Sequence, residues 1–285
     1  MSRLFKYANL DAAVRLRVDS DELLPWAADL HSSAIESNEP CLPGTEAELA
    51  WTTASSDKVQ IELNGVLWEE PMSIIDVFFQ SENLLTQLFA YKLNQRIQIH
   101  SATVRRPDGG AWLICGPSRA GKTSVTLSLM LGGWSWMTDE LTLVDEETPS
   151  RVNGFRRNFN LKESSWELFP ETRDLKHARE CWSGHHQSMI RFIDPEILRP
   201  NSFVAHAELE GILLPVWEPD GPACSLERIS GVAATQTLMP EIKFPSPAAF
   251  RLIASWMRSV PVHRFRHSNP RAIAEAMEKQ RPWLG

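Results

Sequence analysis

Residues 116–123 read Gly116-Pro117-Ser118-Arg119-Ala120-Gly121-Lys122-Thr123, a full match to the phosphate-loop pattern G-x-x-x-x-G-K-[ST]. The chemistry such a run can do is set by its residue types. Gly116 and Gly121 let the main chain turn tightly and come close to a phosphate with no side chain in the way. The N–H groups of this run, from Gly116 to Ser124 with Pro117 contributing none, then form a concave anion site at the start of a helix. Lys122 supplies a point charge for the β- and γ-phosphates of a nucleotide, and Thr123 a hydroxyl for Mg²⁺. The competing reading is a glycine turn with an accidental lysine.

Further along, Asp139-Glu140 places two adjacent carboxylates between apolar runs. One can hold Mg²⁺, directly or through water, while the other accepts a proton from an attacking hydroxyl. A solvated acidic turn is the alternative. His100 closes the apolar triplet Ile97-Gln98-Ile99. A histidine so placed is more often a satisfied core residue than a catalyst.

These groups need elements to position them. Ala111-Trp112-Leu113-Ile114-Cys115 reads as the strand before the phosphate loop, and Ser124 to Leu131 as the helix after it, stopped by Gly132-Gly133. Trp134 to Met137 and Leu141 to Val144 are apolar strands around the acidic corner. Ile97 to Val104 reads as one strand, turning at Pro107-Asp108-Gly109-Gly110. Upstream, Val14 to Val18 alternates like a strand. Ser20 caps a helix expected from Asp21 to Ile35, with Pro25 tolerated near its start. Residues 37–46, holding Asn38, Pro40, Pro43 and Gly44, read as loop. Asn64-Gly65 sets a hairpin between Lys58–Leu63 and Val66-Leu67-Trp68. A long amphipathic helix is expected over Ile74 to Gln95. Residues from Arg173 to Ser188 are polar and rich in His and Gly, so a mobile loop is expected there. Gly211 to Val216 reads as a short buried strand, and Phe250–Met257 and Pro270–Glu278 as closing helices. No internal repeat is visible.

Composition narrows the class. The chain has 285 residues, 43% hydrophobic and 23% charged, enough for one large domain or two small ones. A net charge of −7 argues against nonspecific nucleic-acid binding, which wants a basic face. Cys41, Cys115, Cys181 and Cys224 have no C-x-x-C spacing, so neither a zinc site nor a disulfide framework is expected. The N-terminus lacks the apolar core of a signal peptide, and no apolar run approaches membrane-spanning length. The expectation is a cytoplasmic protein with reduced thiols and no membrane partner. The 11 tryptophans should mostly serve packing. Trp182, beside the polar stretch, is a candidate to grip a peptide.

Taken in order, His100-Ser101-Ala102, Trp112 to Ser118, Gly121-Lys122-Thr123, Gly133-Trp134 and Ser135 to Glu140 resemble the HPr kinase/phosphorylase superfamily. They look most like its divergent branch, some members of which accompany peptide-modification clusters, including kinases of lasso-peptide precursors. Asn160 to Ser165 is similar to a lysine-containing segment of that branch. The resemblance covers His100 to Lys162. It implies an α/β fold: a P-loop-containing, phosphoenolpyruvate-carboxykinase-like core (HPr kinase C-terminal-like), with a small N-terminal α/β layer. The organisation expected is an N-terminal region over 1–95 and a kinase core over 96–285.

By position, the resemblance implies that Lys122 and the loop amides hold ATP phosphates and that Thr123 contributes to Mg²⁺. Asp139 falls at the catalytic base, and Glu140 at the second acid of an Asp-Asp pair that assists the metal. His100 falls at a histidine lining the γ-phosphate region. Arg119 stands where many relatives carry glycine, and either caps the nucleotide or points to solvent. The glycine-rich signature tied to phosphorylase activity does not follow the acidic pair. Arg156, Arg157 and Lys162 either neutralise transferred phosphate or form a basic strand face. Family members are often oligomeric, so a homo-oligomer is among the implied states. The function expected is transfer of the γ-phosphoryl of ATP to a hydroxyl, that of serine, on a peptide or protein substrate. The alternatives are a small-molecule kinase on the same core and a nucleotide-regulated peptide-binding module without turnover.

Overall fold

A computed structural model describes residues 3–31, 34–36, 47–184 and 187–279. The loop read over 37–46 and Cys41 within it lie outside the described residues. Among the described residues the fold is mixed α/β with three sheets, and the chain separates into two compact units.

The first unit contains residues 1–93, 157–164 and 171–194. It opens with β1 (Arg3–Asn9) and β2 (Ala12–Val18), then α1 (Leu24–Asp29), β3 (Ala34–Glu36), β4 (Ala47–Ser55), β5 (Lys58–Leu63), β6 (Val66–Leu67) and α2 (Ile74–Lys92). The six strands form one sheet in the order β3-β1-β2-β4-β5-β6. Asn64 and Gly65 have φ of 52° and 77°, the left-handed pair that a type I′ turn requires. Ser73 caps α2 by accepting from the Asp76 N–H, and the helix stops at Lys92, short of Gln95.

The helix expected from Asp21 to Ile35 is much shorter. A 3-10 turn at Asp21–Leu23, capped by Ser20, leads into the six residues of α1, with Pro25 in its first turn. Residues 34–36 instead pair with β1, because an edge strand offers their backbone a ladder.

The second unit contains residues 94–156, 165–170 and 195–285. It begins with β7 (Ile97–Ile99), β8 (Ala102–Arg105), β9 (Ala111–Ile114), α3 (Lys122–Leu131), β10 (Ser135–Thr138), β11 (Thr142–Val144) and β12 (Arg151–Asn153). The chain then returns to the first unit for β13 (Phe159–Lys162), β14 (Arg179–Ser183) and β15 (Ser188–Ile193), a separate sheet in the order β13-β15-β14. The stretch from Arg173 to Ser188, expected as a mobile loop, therefore contains β14 and the first residue of β15, while 173–178 are turns and irregular chain. Cys181 and Ser183 point inward while Glu180 and Trp182 point outward, a period of two hidden under a polar composition. The rest belongs to the second unit: α4 (Pro195–Leu198), β16 (His206–Trp217), β17 (Ser225–Arg228), α5 (Gly231–Leu238), α6 (Pro247–Ser259), β18 (Val262–His267) and α7 (Ile273–Lys279). The strand expected over Gly211 to Val216 is the second half of the longer β16.

The large sheet has the order β10-β8-β9-β16-β12-β11-β7, with β18 added to β16 and β17 to β18. β9 runs parallel to β16 and antiparallel to β8. It is buried on both faces. Ala111, Leu113 and Cys115 join a core with Ile212, Ile253 and Trp256, while Trp112 and Ile114 join another with Val125, Leu129 and Phe265. Burial on both sides is why this strand reads as an unbroken apolar run.

The single strand expected over Ile97–Val104 is broken at His100-Ser101. β7 stands at one end of the sheet order and β8 near the other, yet Ile99 and Ala102 are three steps apart along the chain, a reach of no more than about 11 Å. β10 and β11 are likewise joined only by Asp139-Glu140-Leu141. The sheet therefore curls until its ends meet, and both links cross the same seam. The Ser101 N–H donates to the Glu140 carbonyl at 3.2 Å, knitting one link to the other. Hydroxyls continue the stitching: Ser101 donates to Thr142 at 2.7 Å, and Thr142 and Thr103 share a hydrogen bond at 2.6 Å.

Candidate nucleotide site

β9 ends against β16, where the Cys115 N–H donates to the Leu213 carbonyl at 3.0 Å. The chain then turns through Gly116 to Gly121 into α3. Gly121 is the N-cap of that helix, at φ 93°, and provides no side-chain cap. The amides of Lys122, Thr123 and Ser124 begin the helix and have no intrahelical acceptor, and the helix dipole adds positive potential at that point. The residues fit a polyphosphate: glycine where φ is left-handed, helix-start amides without an intrahelical acceptor, and a lysine in the first turn. Pro117, Ser118 and Arg119 are exposed around the turn, and Ala120 is buried beneath it. Arg119 has φ 69°, the conformation a glycine adopts at no cost, and its side chain lies on the exposed rim.

The Lys122 ammonium donates to the Gly116 carbonyl at 2.7 Å, with the Pro117 carbonyl at 3.5 Å, so it lies folded over the loop. The Ser124 hydroxyl donates to Ser165 at 3.2 Å, which leaves its main-chain amide as its contribution to the turn. The Thr123 hydroxyl points to the Asp139 carboxylate, with Oγ1 to Oδ2 at 3.5 Å.

Asp139 is buried and Glu140 half-buried on the seam. Their corner is shaped by Thr138, whose hydroxyl accepts from the N–H groups of Glu140 at 3.2 Å and Leu141 at 3.1 Å. His100, on the other link, turns Nδ1 to Glu241 Oε2 at 2.8 Å and Nε2 towards Glu140 Oε2 at 3.8 Å. The fold thus brings Lys122, Thr123, Asp139, Glu140 and His100 into one neighbourhood. Among the described residues, no three His, Cys, Asp or Glu side chains are arranged around one metal position. Thr123, Asp139 and Glu140 are the oxygen donors present. That set fits Mg²⁺, which keeps water and binds through one or two carboxylates beside substrate phosphates.

Two residues of this neighbourhood have no signal in the sequence. Glu241 ends a 3-10 turn at Met239–Glu241, far along the chain and in no recognisable spacing. His267 ends β18 and lies against the loop from below. A methyl placed on Gly121 would come within 3.3 Å of its ring. The ring is 1% exposed, stacks on Phe265 at 4.6 Å and meets Trp217 edge-on at 5.3 Å. Burial pulls its pKa down to about 4, against a smaller opposing pull from the Ala120 main chain, so it is neutral at pH 7. Cys115 is not a nucleophile: burial, then the Glu241 carboxylate, push its thiol up to about 12, with Lys122 opposing.

The basic residues have other partners. Arg157 pairs with Glu82 at 2.6 Å, the two side chains 4% and 0% exposed, inside the first unit. It serves that core rather than a transferred phosphate or a basic strand face. Arg156 lies over the Phe203 ring in the second unit, and Lys162 ends β13 in the first. Trp182 is 59% exposed on β14. No helix among the described residues is long and apolar enough to cross a membrane.

In comparison with known proteins, no family model and no curated protein matches the chain. Among solved structures it is similar to the HPr(Ser) kinase/phosphatase from Coxiella burnetii, at 13% identity and a TM-score of 0.33, over 66% of this chain and 97% of that one.

Proposed function

We propose that the protein is an ATP-dependent kinase that transfers the γ-phosphoryl group to a serine hydroxyl of a peptide or protein. In this reading residues 96–285 form a phosphoenolpyruvate-carboxykinase-like core. The observation that carries it is the 3.5 Å approach of the Thr123 hydroxyl to the Asp139 carboxylate at the head of a glycine-capped helix. It joins a phosphate-binding turn to a candidate base within the reach in-line chemistry needs.

The loop amides and Lys122 hold the phosphate tail and set its direction. Asp139 takes the proton of the incoming hydroxyl, and its burial between Thr123 and the seam keeps bulk water away from that proton. Thr123, Asp139 and Glu140 would hold Mg²⁺, which when bound supplies positive charge to the phosphate oxygens. His100 stands on the far side of Glu140 and bounds the space where the acceptor enters.

The test is transfer of labelled γ-phosphate to a library of serine peptides. Asp139→Asn should lower kcat by about 10²–10⁴-fold, and Lys122→Ala should weaken ATP binding as well as kcat. Undiminished transfer in both variants refutes the reading. ATP binding without transfer to any peptide or metabolite assigns the chain to the non-catalytic binding class instead.

A further inference from the structure

We infer that Trp217 is the platform on which the base of the bound nucleotide stacks. The inference rests on the reading of the phosphate loop as a triphosphate site, and on no step of phosphoryl transfer.

Strand register places the indole. Between β16 and β18, Leu213 pairs with His263, Pro215 with Phe265 and Trp217 with His267. Side chains alternate along a strand, so Leu213, Pro215 and Trp217 project from one face of the sheet. Leu213 and Phe265 lie in the core that α3 covers, with Trp112, Val125 and Leu129. Trp217 is therefore on the α3 face, at the carboxyl end of β16. β9 ends at Ile114, opposite Leu213, before it turns into the phosphate loop. β16 runs on past that point and carries the indole out beside the turn. The His267 ring spans the gap: it lies 3.3 Å from a methyl placed on Gly121, and its centre is 5.3 Å from that of Trp217. The indole thus stands one side chain away from the loop.

Its surroundings suit a base. Trp217 is 44% exposed, although Phe265 and His267 beside it are buried. His267 and Phe265 stack at 14°, whereas Trp217 crosses His267 at 66° and stands outside that stack. The main chain around it is fixed. The Glu218 N–H donates to the His267 carbonyl at 2.9 Å, and the Glu218 carboxylate pairs with Arg266. A flat apolar surface held this way loses little freedom when something binds to it.

The sheet order gives the direction. Thr123 and Asp139 mark the γ-phosphate end of the site. Asp139 follows β10, and β10 and β8 lie on one side of β9, while β16 and β18 lie on the other. A triphosphate that turns its γ end to Asp139 leaves its nucleoside on the opposite side, where Trp217 stands. Ligands of parallel α/β sheets bind outside the carboxyl ends of the strands, and β9, β16 and β18 are the parallel strands here. An aromatic ring accepts the face of any base.

The test is calorimetric titration of the full chain, with Mg²⁺, comparing ATP with ribose 5-triphosphate, which keeps the sugar and phosphates and lacks the base. The wild type should bind ATP more tightly. Trp217→Ala should weaken ATP roughly 10- to 100-fold and leave ribose 5-triphosphate unchanged. A role confined to propping His267 and the loop would weaken both ligands alike. Trp217→Phe restores an aromatic face and should recover most of the ATP affinity. Trp217→Leu keeps apolar bulk against His267 without that face, so it should not, and it replaces Trp217→Ala if that variant does not fold. The triphosphate of 2-aminopurine riboside should lose emission on the wild type, through stacking, and keep it on Trp217→Leu. Three results overturn the inference: ATP bound no more tightly than ribose 5-triphosphate, ATP affinity unmoved in the folded variants, or equal losses for the two ligands. If ATP binding follows the expected pattern and no acceptor is phosphorylated, the kinase reading fails and the platform stands. Binding of neither ligand removes both.

Discussion

Acid should loosen the unit that carries the phosphate loop, and His267 sets the size of the effect. Unfolded, its ring titrates at the ordinary value of 6.5; folded, burial against Phe265 and Trp217 lowers that to about 4. Between those values the unfolded chain binds a proton that the folded one does not. Stability therefore rises with pH through this window. The contribution is fully present above 6.5, drains away as the pH falls, and is lost below about 4. The gap is worth roughly 3 kcal/mol at face value, and about 2 kcal/mol after discounting for solvent relaxation around the ring. Urea unfolding followed by tryptophan fluorescence, between about pH 7.5 and 4.5, measures it. His267→Gln is the control, because every other titrating group, including the buried His263, is common to both proteins. The wild type should lose about 2 kcal/mol more than the variant over that range. Parallel curves would show that the ring accepts a proton in place, and the account of a neutral wedge beneath Gly121 would be wrong.

Further outcomes follow from the same geometry. Gly121→Ala must hold a φ of 93° and crowd the His267 ring at 3.3 Å. It should cost about 1–3 kcal/mol and weaken ATP binding; an unchanged melting temperature and ATP titration would contradict this. Glu82→Ala strips Arg157 of its buried carboxylate and should cost about 3–5 kcal/mol in urea unfolding. A loss below about 1 kcal/mol would mean the pair is solvated. Thr138→Val removes the acceptor for two N–H groups at the acidic corner. It should cost about 1–3 kcal/mol and lower kcat more than it raises the KM for ATP, a split that steady-state kinetics would expose.

What could be read in advance follows local rules. Asn64-Gly65 adopts its turn because few other pairs accept two left-handed residues in succession. Gly121 marks the start of α3 for the same steric reason. What could not be read depends on partners distant in sequence. β1 was not foreseen because its hairpin reverses at Leu10, which has φ 50° without being glycine. The break at His100-Ser101 is invisible in a run whose flanks are both strand-like; only the closure of the sheet imposes it. Arg157 looks like any surface arginine until Glu82 is placed beside it. Glu241 and His267 carry no motif, because a side chain that supports another needs a place in space and no fixed spacing.

The seam has a consequence for how this chain tolerates change in length. Successive residues of an extended segment alternate sides, so inserting or deleting one residue between Ile99 and Ala102, or between Thr138 and Thr142, would turn His100 or the acidic pair to the opposite side. Turns such as Asp108-Gly109 or the stretch from Glu218 to Cys224 carry no such constraint. Insertions should accumulate at those turns, while the two links keep their residue count wherever this chemistry is retained.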